Sequence, residues 1–255
     1  MEKTSASFHP TLTGTALKYI AIVTMLLDHI GAGIVELGLM YYYDEIGWQW
    51  VLNPAGEKWI GVDFMLRGIG RLAFPIFCFL LTEGFLHTRN VKKYIRSLFL
   101  LALVSEIPFD LAFFNCPVYH GAQNVFFTLA IGLLTLEALK RFELQKVFLI
   151  PIVVIGCGAA LLLRTDYSAV GVLLIVSFYL FRNDRRKMYL AAAVLTVYES
   201  INIYGLGILA LIPISFYNGQ RGRTKLKYAF YFFYPVHILL IFLFRYYVLG
   251  VGLLK

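Results

Sequence analysis

The stretch Leu17–Ile34, LKYIAIVTMLLDHIGAGI, decides the fold class of this chain. Most of its side chains are apolar, and together with its neighbours it approaches the roughly 20 residues that a helix needs to cross the hydrocarbon core of a bilayer. Asp28 and His29 lie side by side within it, and Lys18 stands at its start. The stretch therefore predicts a membrane-spanning helix that carries ionisable residues at depth.

Composition extends this prediction to the whole chain. Of its 255 residues, 60% are hydrophobic and 15% are charged, whereas soluble domains usually have about 45–50% apolar and about 25% charged residues. We expect an all-α protein, a polytopic transmembrane helix bundle in the cell (plasma) membrane. The sequence contains no stretch that resembles a soluble domain, so we expect residues 1–255 to form a single transmembrane domain.

The apolar segments predict about nine spans, within a range of eight to ten. The candidate segments are roughly 16–39, 62–86, 93–114, 123–139, 145–163, 167–182, 188–201, 203–217 and 228–249, although 167–182, 188–201 and 203–217 are shorter than the usual minimum of about 17 residues. The region 188–217 is ambiguous, because one long helix there would put two basic loops on opposite sides of the membrane. A hairpin that turns near ESINIYG (199–205) keeps both loops on one side, and we favour it.

Loop charge predicts the orientation of the bundle. Lys and Arg gather in the loops 87–96, 140–146, 182–187 and 218–227, whereas the alternate loops 41–58, 115–123 and 164–167 are neutral or acidic. Basic loops stay on the cytoplasmic side, so we expect a cytoplasmic N-terminus. We also expect the aromatic loop 41–58 to cap the outer face. The polar start of the chain and the long apolar stretch after it do not fit a cleavable signal peptide.

Several classes of function are disfavoured. The net charge of +8 is explained by the cytoplasmic loops, so we expect no nucleic-acid partner. Cys78, Cys116 and Cys157 have no spacing typical of a disulfide framework or a metal site, and we expect no metal. The chain has no HExxH, GxSxG or GxxxxGK motif, which disfavours a zinc protease, a serine hydrolase and a nucleotide-driven pump.

Polar residues inside the predicted spans mark functional or pairing sites. An ionisable side chain at membrane depth raises the free energy of membrane insertion by at least a few kcal/mol unless it has a partner. With about 1.5 Å of rise per residue, Lys18 lies near the cytoplasmic end of the first span and His29 roughly 16 Å deeper. Other such residues are Arg67, Arg71, Glu83, Glu106, Asp110, Asn124, Thr128, Tyr198, Glu199, Asn202 and His237. Acids and amides gather in the outer half, which indicates a polar cavity open to the outside with a basic mouth inside.

Structural explanations remain open for Asp28 and its neighbour. Adjacent helical residues point about 100° apart, so Asp28 need not touch His29. It also fits an ion pair with Arg67 or Arg71 that has no catalytic role.

Structural explanations also remain open for the other polar residues inside or beside the predicted spans. Glu106 and Asp110 lie one turn apart on one helix face, and they fit acids that neutralise the two arginines. His237 taken alone fits an interhelical hydrogen bond. Lys18 and the Lys92–Arg96 group fit topology anchors.

Four stretches, taken in order, resemble the TraX family. They are LKYIAIVTMLLDHIGA (17–32), LRGIGRLAFPIFCFLLTEGFLHTRNVKKYIRSLFLLALVSEIPFDLAF (66–113), QNVFFTLAIGLL (123–134) and FYPVHILLI (233–241). That family takes its name from the protein of F-type conjugative plasmids that N-acetylates pilin. It is grouped with larger transmembrane acyltransferases, including the acyltransferase-3 family. The resemblance covers most of the chain and implies that its single domain is acyltransferase-like.

The resemblance can be carried to individual positions. Members of the larger group begin with a basic residue, ten intervening residues and a histidine, which correspond to Lys18 and His29. Their Arg-rich helix followed by proline resembles the segment 67–75, with a looser spacing, and their closing Tyr-Pro-x-His resembles residues 234–237. The resemblance implies transfer of an acetyl group from cytoplasmic acetyl-CoA to an acceptor at the outer face. The acceptor would be an amine or hydroxyl of a cell-surface glycan, lipid or peptide.

This chemistry assigns expected roles. Acyl transfer needs a base, for which histidine is the best suited side chain near neutral pH, and a donor for the oxyanion of the intermediate. We expect His29 as the base and Arg71 as that donor, with Asn124 and Tyr234 as weaker candidates. We expect an acid, either Asp28, Glu106 or Asp110, to orient the imidazole. The predicted catalytic set is His29, Asp28, Arg71, Glu106, Asp110 and His237. The predicted cofactor-binding set, chosen because phosphates need basic partners, is Lys18, Lys92, Lys93 and Arg96, and Arg221, Arg223, Lys225 and Lys227 are further candidates. The predicted substrate-binding set is Arg67, Asn124, Tyr198 and Glu199.

Two other functions remain open. A proton-coupled transporter of small polar solutes would use the same His, Asp, Glu and Arg cluster as a proton relay, although no internal repeat supports it. A non-catalytic membrane partner would need none of these residues. For the enzyme, the expected partners are acetyl-CoA, a surface-presented acceptor and the lipid bilayer. The oligomeric state is open and includes a homo-oligomer.

Overall fold

The computed structural model describes residues 11–40, 54–223 and 229–250. Within these ranges the secondary structure is helical, apart from two isolated bridges, Leu12 with Tyr217 and Gln123 with Thr165. The all-α fold class is therefore confirmed for the described part of the chain. The N-terminal segment before residue 11, the greater part of the 41–58 loop, and Lys225 and Lys227 lie outside the described residues.

Ten α-helices follow one another along the described residues. They are α1 (Gly14–Ile30), α2 (Pro54–Gly70), α3 (Ala73–His87), α4 (Val91–Phe114), α5 (Val125–Arg141), α6 (Leu149–Leu162), α7 (Ser168–Leu180), α8 (Arg185–Glu199), α9 (Leu211–Ser215) and α10 (Ala229–Val248). A π-helical segment, Gly31–Met40, continues α1 without a break. Short 3₁₀ segments lie at Lys146–Phe148, Ile201–Ile203 and Leu206–Ala210.

Side-chain caps fix where several of these helices begin. Thr13 accepts a hydrogen bond from the Ala16 amide at 3.2 Å, and Asn90 accepts one from the Lys93 amide at 2.9 Å. Asn124 caps α5 and Asp184 caps α8 in the same way. Such caps satisfy amides that have no partner in the first turn of a helix. The helices therefore start where a polar residue precedes an apolar run.

Three helical stretches among the described residues are long and apolar enough to cross a membrane, namely Gly14–Met40, Glu57–His87 and Val91–Phe114. The second of these is interrupted at Arg71 and Leu72, between α2 and α3. Shorter apolar helices occupy Lys146–Leu162, Ser168–Leu180, Leu206–Ser215 and Phe232–Val248. The chain is thus an apolar helical protein of the membrane type, while the number of nine spans stays a prediction.

The region 188–217 folds back on itself, as a hairpin requires. Helix α8 ends at Glu199, and the backbone turns through the left-handed conformation at Tyr204 (φ 50°) and Gly205 (φ 72°). The Ser200 hydroxyl then accepts a hydrogen bond from the Gly207 amide at 2.9 Å. The return arm is not one regular helix, because Gly205, Gly207 and the Pro213 ring interrupt the α-helical pattern.

The basic loops gather at one end of the bundle. Arg182 pairs with Glu143 at 3.2 Å, and the Lys140 ammonium lies 5.5 Å from the Phe85 ring centroid. The Leu12 amide donates to the Phe216 carbonyl at 2.9 Å, which brings the start of α1 to the loop after residue 217. The basic loops expected in the cytoplasm therefore meet at a common end, called here the basic end.

The core consists of two apolar clusters. The larger one lies between α3, α5 and α7 and includes Phe79, Leu133 and Ile175. A smaller one joins α1, α3, α4 and α10 around Ala112 and Ile238. Buried apolar side chains of this kind fix the relative positions of the helices. The smaller cluster is the one that surrounds the candidate active site.

Candidate active site

Two histidines from the first and last helices meet inside the bundle. His29 lies in the last turn of α1, and His237 lies in α10 and is 5% exposed. Their ring planes are 12° from parallel, and the ring centroids are 4.9 Å apart. The Nδ1 atom of His29 is 2.6 Å from the Nε2 atom of His237, which is a hydrogen bond. The structure thus joins two residues of the predicted catalytic set.

The hydrogen-bond chain assigns the proton positions of the neutral pair. His237 Nδ1 lies 2.6 Å from the Phe233 carbonyl oxygen, and a carbonyl can only accept, so His237 Nδ1 is the donor. His237 Nε2 is then the acceptor for His29 Nδ1–H. The lone pair that remains on the His29 ring is on Nε2. His29 is therefore held in the tautomer that lets Nε2 take a proton from a substrate.

Aromatic rings surround the His29 imidazole. The Phe113 ring centroid lies 5.5 Å away, and the Tyr234 ring meets the imidazole edge-on at 5.7 Å. Tyr234 is itself held by an edge-to-face contact with Phe126 at 4.8 Å. Edge-on and tilted arrangements at these distances are favourable for aromatic pairs. The rings fix the orientation of the imidazole and shield one side of it.

Lys18 and His29 lie on the same face of α1. His29 is eleven positions after Lys18, which leaves the two residues about 20° apart around the helix axis and roughly 16 Å apart along it. The turn that contains Lys18 is tied to the loop after residue 217, because the Thr15 hydroxyl and amide both donate to the Arg221 carbonyl at 2.9 Å. Arg221 and Arg223 are exposed there. One face of α1 therefore leads from a basic surface to the imidazole.

Asp28 faces away from His29 and pairs with Arg67 on α2. The Arg67 Nη1 and Asp28 Oδ1 atoms are 2.8 Å apart, and Arg67 Nε also lies 3.1 Å from Glu36 Oε1 in the π-helical segment. Gly70 makes this approach of α1 and α2 feasible, since a methyl group at its Cα would overlap the Asp28 side chain. Of the two explanations left open for Asp28, the geometry matches the ion pair.

Arg71 lies in the break between α2 and α3 and pairs with α8. Its Nη1 atom is 3.1 Å from Glu199 Oε1, and Asp28, Asp166 and Tyr167 are close enough to contribute to its electrostatic environment. Arg71 Nε is buried and has no hydrogen-bond acceptor among the described residues. This leaves one N–H donor of the guanidinium available to a bound group.

Glu106 and Asp110 contact neither the arginines nor His29 by hydrogen bond or ion pair. Glu106 accepts a hydrogen bond from the Asn124 side chain and another from the Asn124 amide at 3.3 Å. Asp110 accepts one from the Tyr119 amide at 2.8 Å. Both acids therefore stabilise the turn between α4 and α5, and their assignment to an orienting or counter-ion role does not match the geometry.

The remaining predicted residues lie apart from the histidine pair. Asn124 holds Glu106 and also donates to the Ala102 carbonyl at 2.8 Å, whereas Tyr198 is 65% exposed on α8. Lys92 and Arg96 line a groove between α4 and α5, and Lys93 is exposed beside it. Lys18 is carried by a different helix, so the four predicted cofactor residues do not form one described cluster.

Sequence reasoning missed a buried arginine, Arg245 in α10, which is 0% exposed. Its guanidinium donates to the Ala112 carbonyl at 2.6 Å, the Leu111 carbonyl at 3.2 Å and the Gly33 carbonyl at 3.3 Å, and to the Asn115 side chain. These contacts tie α10 to α4 and to the π-helical segment, two turns beyond His237. Arg245 lies inside the last predicted span, 228–249. It could have been identified from the sequence, because an ionisable residue at membrane depth marks a functional or pairing site.

Known relatives identify the family to which this chain belongs. No solved structure matches the chain. A relative from Dichelobacter nodosus, described as probable fimbrial assembly protein FimC, serogroup H1, is 32% identical over 252 residues, which cover 88% of this chain and 92% of the relative. Residues 13–245 match the family described as TraX protein, a range that contains both histidines, both ion-paired arginines and Arg245. The chain belongs to the TraX family.

Proposed function

We propose that the protein is a multi-pass acetyltransferase of the cell membrane. It would move an acetyl group from cytoplasmic acetyl-CoA to an amine or hydroxyl of an acceptor at the outer face. The observation that carries the proposal is the His29–His237 pair, in which His29 Nε2 is free to accept a proton. Membership of a family linked to pilin acetylation supports the reaction class.

The proposed reaction uses one base and one cation. His29 Nε2 takes the proton of the attacking N–H or O–H while the acceptor atom bonds to the thioester carbonyl carbon. The Arg71 Nε–H, which is buried without an acceptor among the described residues, donates to the oxyanion that forms. When the intermediate collapses, the C–S bond breaks, and the thiolate of coenzyme A takes the proton from His29. The imidazole returns to its starting state.

The donor is proposed to enter at the basic end. Its phosphates would bind near Lys18, Arg221 and Arg223, and its pantetheine arm would follow the face of α1 toward His29, over the roughly 16 Å that separates Lys18 from the imidazole. This route is supported by the contact between the start of α1 and the loop that carries Arg221. The assignment of Lys92, Lys93 and Arg96 to the same cofactor stays a prediction.

The acceptor is proposed to be a peptide presented at the outer face. The relative from Dichelobacter nodosus is named as a probable fimbrial assembly protein, which favours a subunit of a surface fibre over a glycan or a lipid. The predicted substrate-binding residues, Arg67, Asn124, Tyr198 and Glu199, would contact this acceptor.

The decisive experiment measures acetyl transfer by the purified full chain in lipid nanodiscs. Acetyl-CoA is supplied with a panel of peptide, amine and glycan acceptors, and the release of free thiol is followed. We expect His29→Ala to lower the rate by about 10²–10⁴-fold, the usual contribution of a positioned base. His87→Ala is the matched control, since His87 is exposed at the basic end and hydrogen-bonds only within its own helix turn. A His29→Ala variant that binds acetyl-CoA and keeps the full rate would falsify the proposed role.

The cluster of acids around the arginines favours a second candidate, a proton-coupled transporter. Arg67 and Arg71 are paired with Asp28, Glu36 and Glu199. Such a cluster could relay protons instead of binding an acceptor. Solute uptake driven by a pH gradient in proteoliposomes, together with no binding of acetyl-CoA, would favour the transporter.

A further inference from the structure

A groove on the side of the bundle lies between the first turns of α4 and the last turns of α5. It has a volume of about 660 Å³ and is lined on the α4 side by Lys92, Ile95, Arg96 and Phe99. A second hollow of about 560 Å³ adjoins it and reaches the loop that begins at Thr88. Both lie at the basic end.

The rim of the groove is strongly basic. Five basic side chains line the two hollows, whereas Glu137 is the single acid among the residues that line them. The basic ones are Arg89, Lys92, Arg96, Lys140 and Arg141. Glu137 pairs with Arg141, with 3.0 Å between Oε1 and Nε. The rim therefore keeps an excess of positive charge and is complementary to an anionic group.

The floor of the groove is apolar and faces outward. Phe99 is 48% exposed and Leu134 is 51% exposed, and the exposed apolar surface continues along α4 through Leu103 and Val104. In a helix of a membrane bundle, exposed apolar side chains face the acyl chains of lipids. The groove is thus basic where the headgroups lie and apolar where the hydrocarbon begins.

The groove does not reach the histidine pair. Among the α4 residues that line the groove, Phe99 is the one closest to the C-terminal end of the helix. Phe113, the α4 residue that contacts His29, follows 14 positions later, which is roughly 21 Å along the helix axis. A ligand held in the groove is therefore remote from the imidazole.

We propose that this groove is a binding site for an anionic phospholipid of the cytoplasmic leaflet. The phosphate binds Lys92, Arg96 and Arg141, and one acyl chain lies along Ile95, Phe99 and Leu134. Basic pockets between helices on the cytoplasmic side are suited to anionic headgroups, and each basic residue near such a surface contributes about 1 kcal/mol. The proposal is an alternative to the predicted assignment of Lys92 and Arg96 to acetyl-CoA, and it does not depend on the roles proposed for the histidine pair.

The test uses quenching of a tryptophan placed in the groove. The full chain carrying Phe99→Trp is reconstituted in vesicles of unlabelled phosphatidylcholine that contain a small fraction of a lipid with brominated acyl chains. We expect brominated phosphatidylglycerol to quench the new fluorescence at a much lower mole fraction than brominated phosphatidylcholine. The unsubstituted chain provides the background from its native tryptophans.

Substitutions at the rim separate a specific site from general surface charge. We expect Lys92→Gln with Arg96→Gln to weaken the preference for phosphatidylglycerol by roughly 30-fold, because each lost charge is worth about fivefold. Arg185→Gln with Arg186→Gln is the matched control, since these residues also open a helix and are exposed. The control pair should leave the quenching unchanged.

The remaining outcomes overturn the proposal. Equal quenching by the two brominated lipids, or an equal loss in the two double variants, would mean that the groove has no headgroup specificity. Displacement of phosphatidylglycerol by coenzyme A, but not by inorganic phosphate, would identify the groove as the cofactor site expected from Lys92 and Arg96 instead.

Discussion

His29 and His237 form a direct imidazole–imidazole hydrogen bond across the first and last helices, with 2.6 Å between Nδ1 and Nε2. The chain of donors ends on the Phe233 carbonyl, so among the described residues no carboxylate takes part in orienting the proposed base. A neutral acceptor fixes the tautomer without placing a second charge beside the imidazole. The second histidine therefore does the orienting that sequence reasoning had assigned to an acid.

His237→Ala should slow acetyl transfer less than His29→Ala does. The substitution removes the acceptor of His29 Nδ1–H, and the loss of one such hydrogen bond, up to about 1.5 kcal/mol, corresponds to roughly tenfold in rate. His237→Gln should recover much of the rate, because its amide oxygen can accept the same proton. The readout is the single-turnover rate at saturating acetyl-CoA.

The double variant gives an additional test of the pair. If the two histidines act as one unit, His29→Ala with His237→Ala should be no slower than His29→Ala alone. Rate losses that multiply instead would show that the residues act independently.

Asp28→Asn should lower stability more than it lowers catalysis. It leaves the Arg67 guanidinium without its nearest carboxylate, and breaking a buried pair costs about 3–5 kcal/mol, less here because the two side chains remain 14% and 18% exposed. The melting temperature in detergent should fall, while the rate per folded molecule stays far above that of His29→Ala. Asp28→Leu with Arg67→Met should restore part of the lost stability. A rate as low as that of His29→Ala would instead identify Asp28 as part of the proton path.

Gly70→Ala should disrupt the contact between α1 and α2. A Cβ at this position would overlap the Asp28 side chain, which has little room to move because it pairs with Arg67. Gly158→Ala on α6 is the matched control, since no atom lies within 4 Å of its added methyl group. Alanine is about 1 kcal/mol more favourable than glycine within a helix, so the control should be neutral or stabilising. Equal melting temperatures for the two variants would contradict the close approach.

Arg245→Met should destabilise the contacts of α10 with α4 and with the π-helical segment. It leaves the Ala112, Leu111 and Gly33 carbonyls and the Asn115 side chain without their donor, at about 1–3 kcal/mol for each buried acceptor that finds no other partner. Arg245→Lys should recover only part of this loss, because an ammonium cannot reproduce the planar fork. Arg186→Gln, an exposed arginine, serves as the control. Thermal unfolding followed by hydrogen exchange of α10 would locate the effect.

Hydropathy and charge predicted the helices well because both are local properties of the chain. The presence of helices in the apolar segments, the turn near Gly205 and the common end of the basic loops follow from them, whereas the break at Arg71 and Leu72 and the irregular arm 206–215 do not. The same rules identified His29, His237, Arg67 and Arg71 as residues that need partners.

The partners themselves could not be read from the sequence. Whether Asp28 meets Arg67 or Arg71 depends on the break between α2 and α3 and on the close approach at Gly70, which are properties of packing. Glu106 and Asp110 lie on one helix face as predicted, but α4 turns them toward Asn124 and Tyr119. Which side chains pair across two helices depends on how far each helix is rotated about its own axis. Hydropathy alone does not determine this rotation angle.

The pairing of the first helix with the last also orders events during synthesis. His29 and His237 are 208 residues apart, and at about 5–20 residues per second the ribosome needs about 10–40 s to pass from one to the other. Throughout that interval the growing chain can insert its apolar helices, while His29 lacks the side chain with which its Nδ1 atom forms a hydrogen bond. A polypeptide that terminates before α10 would lack both His237 and Arg245, so the candidate site is assembled only after α10 has been synthesised.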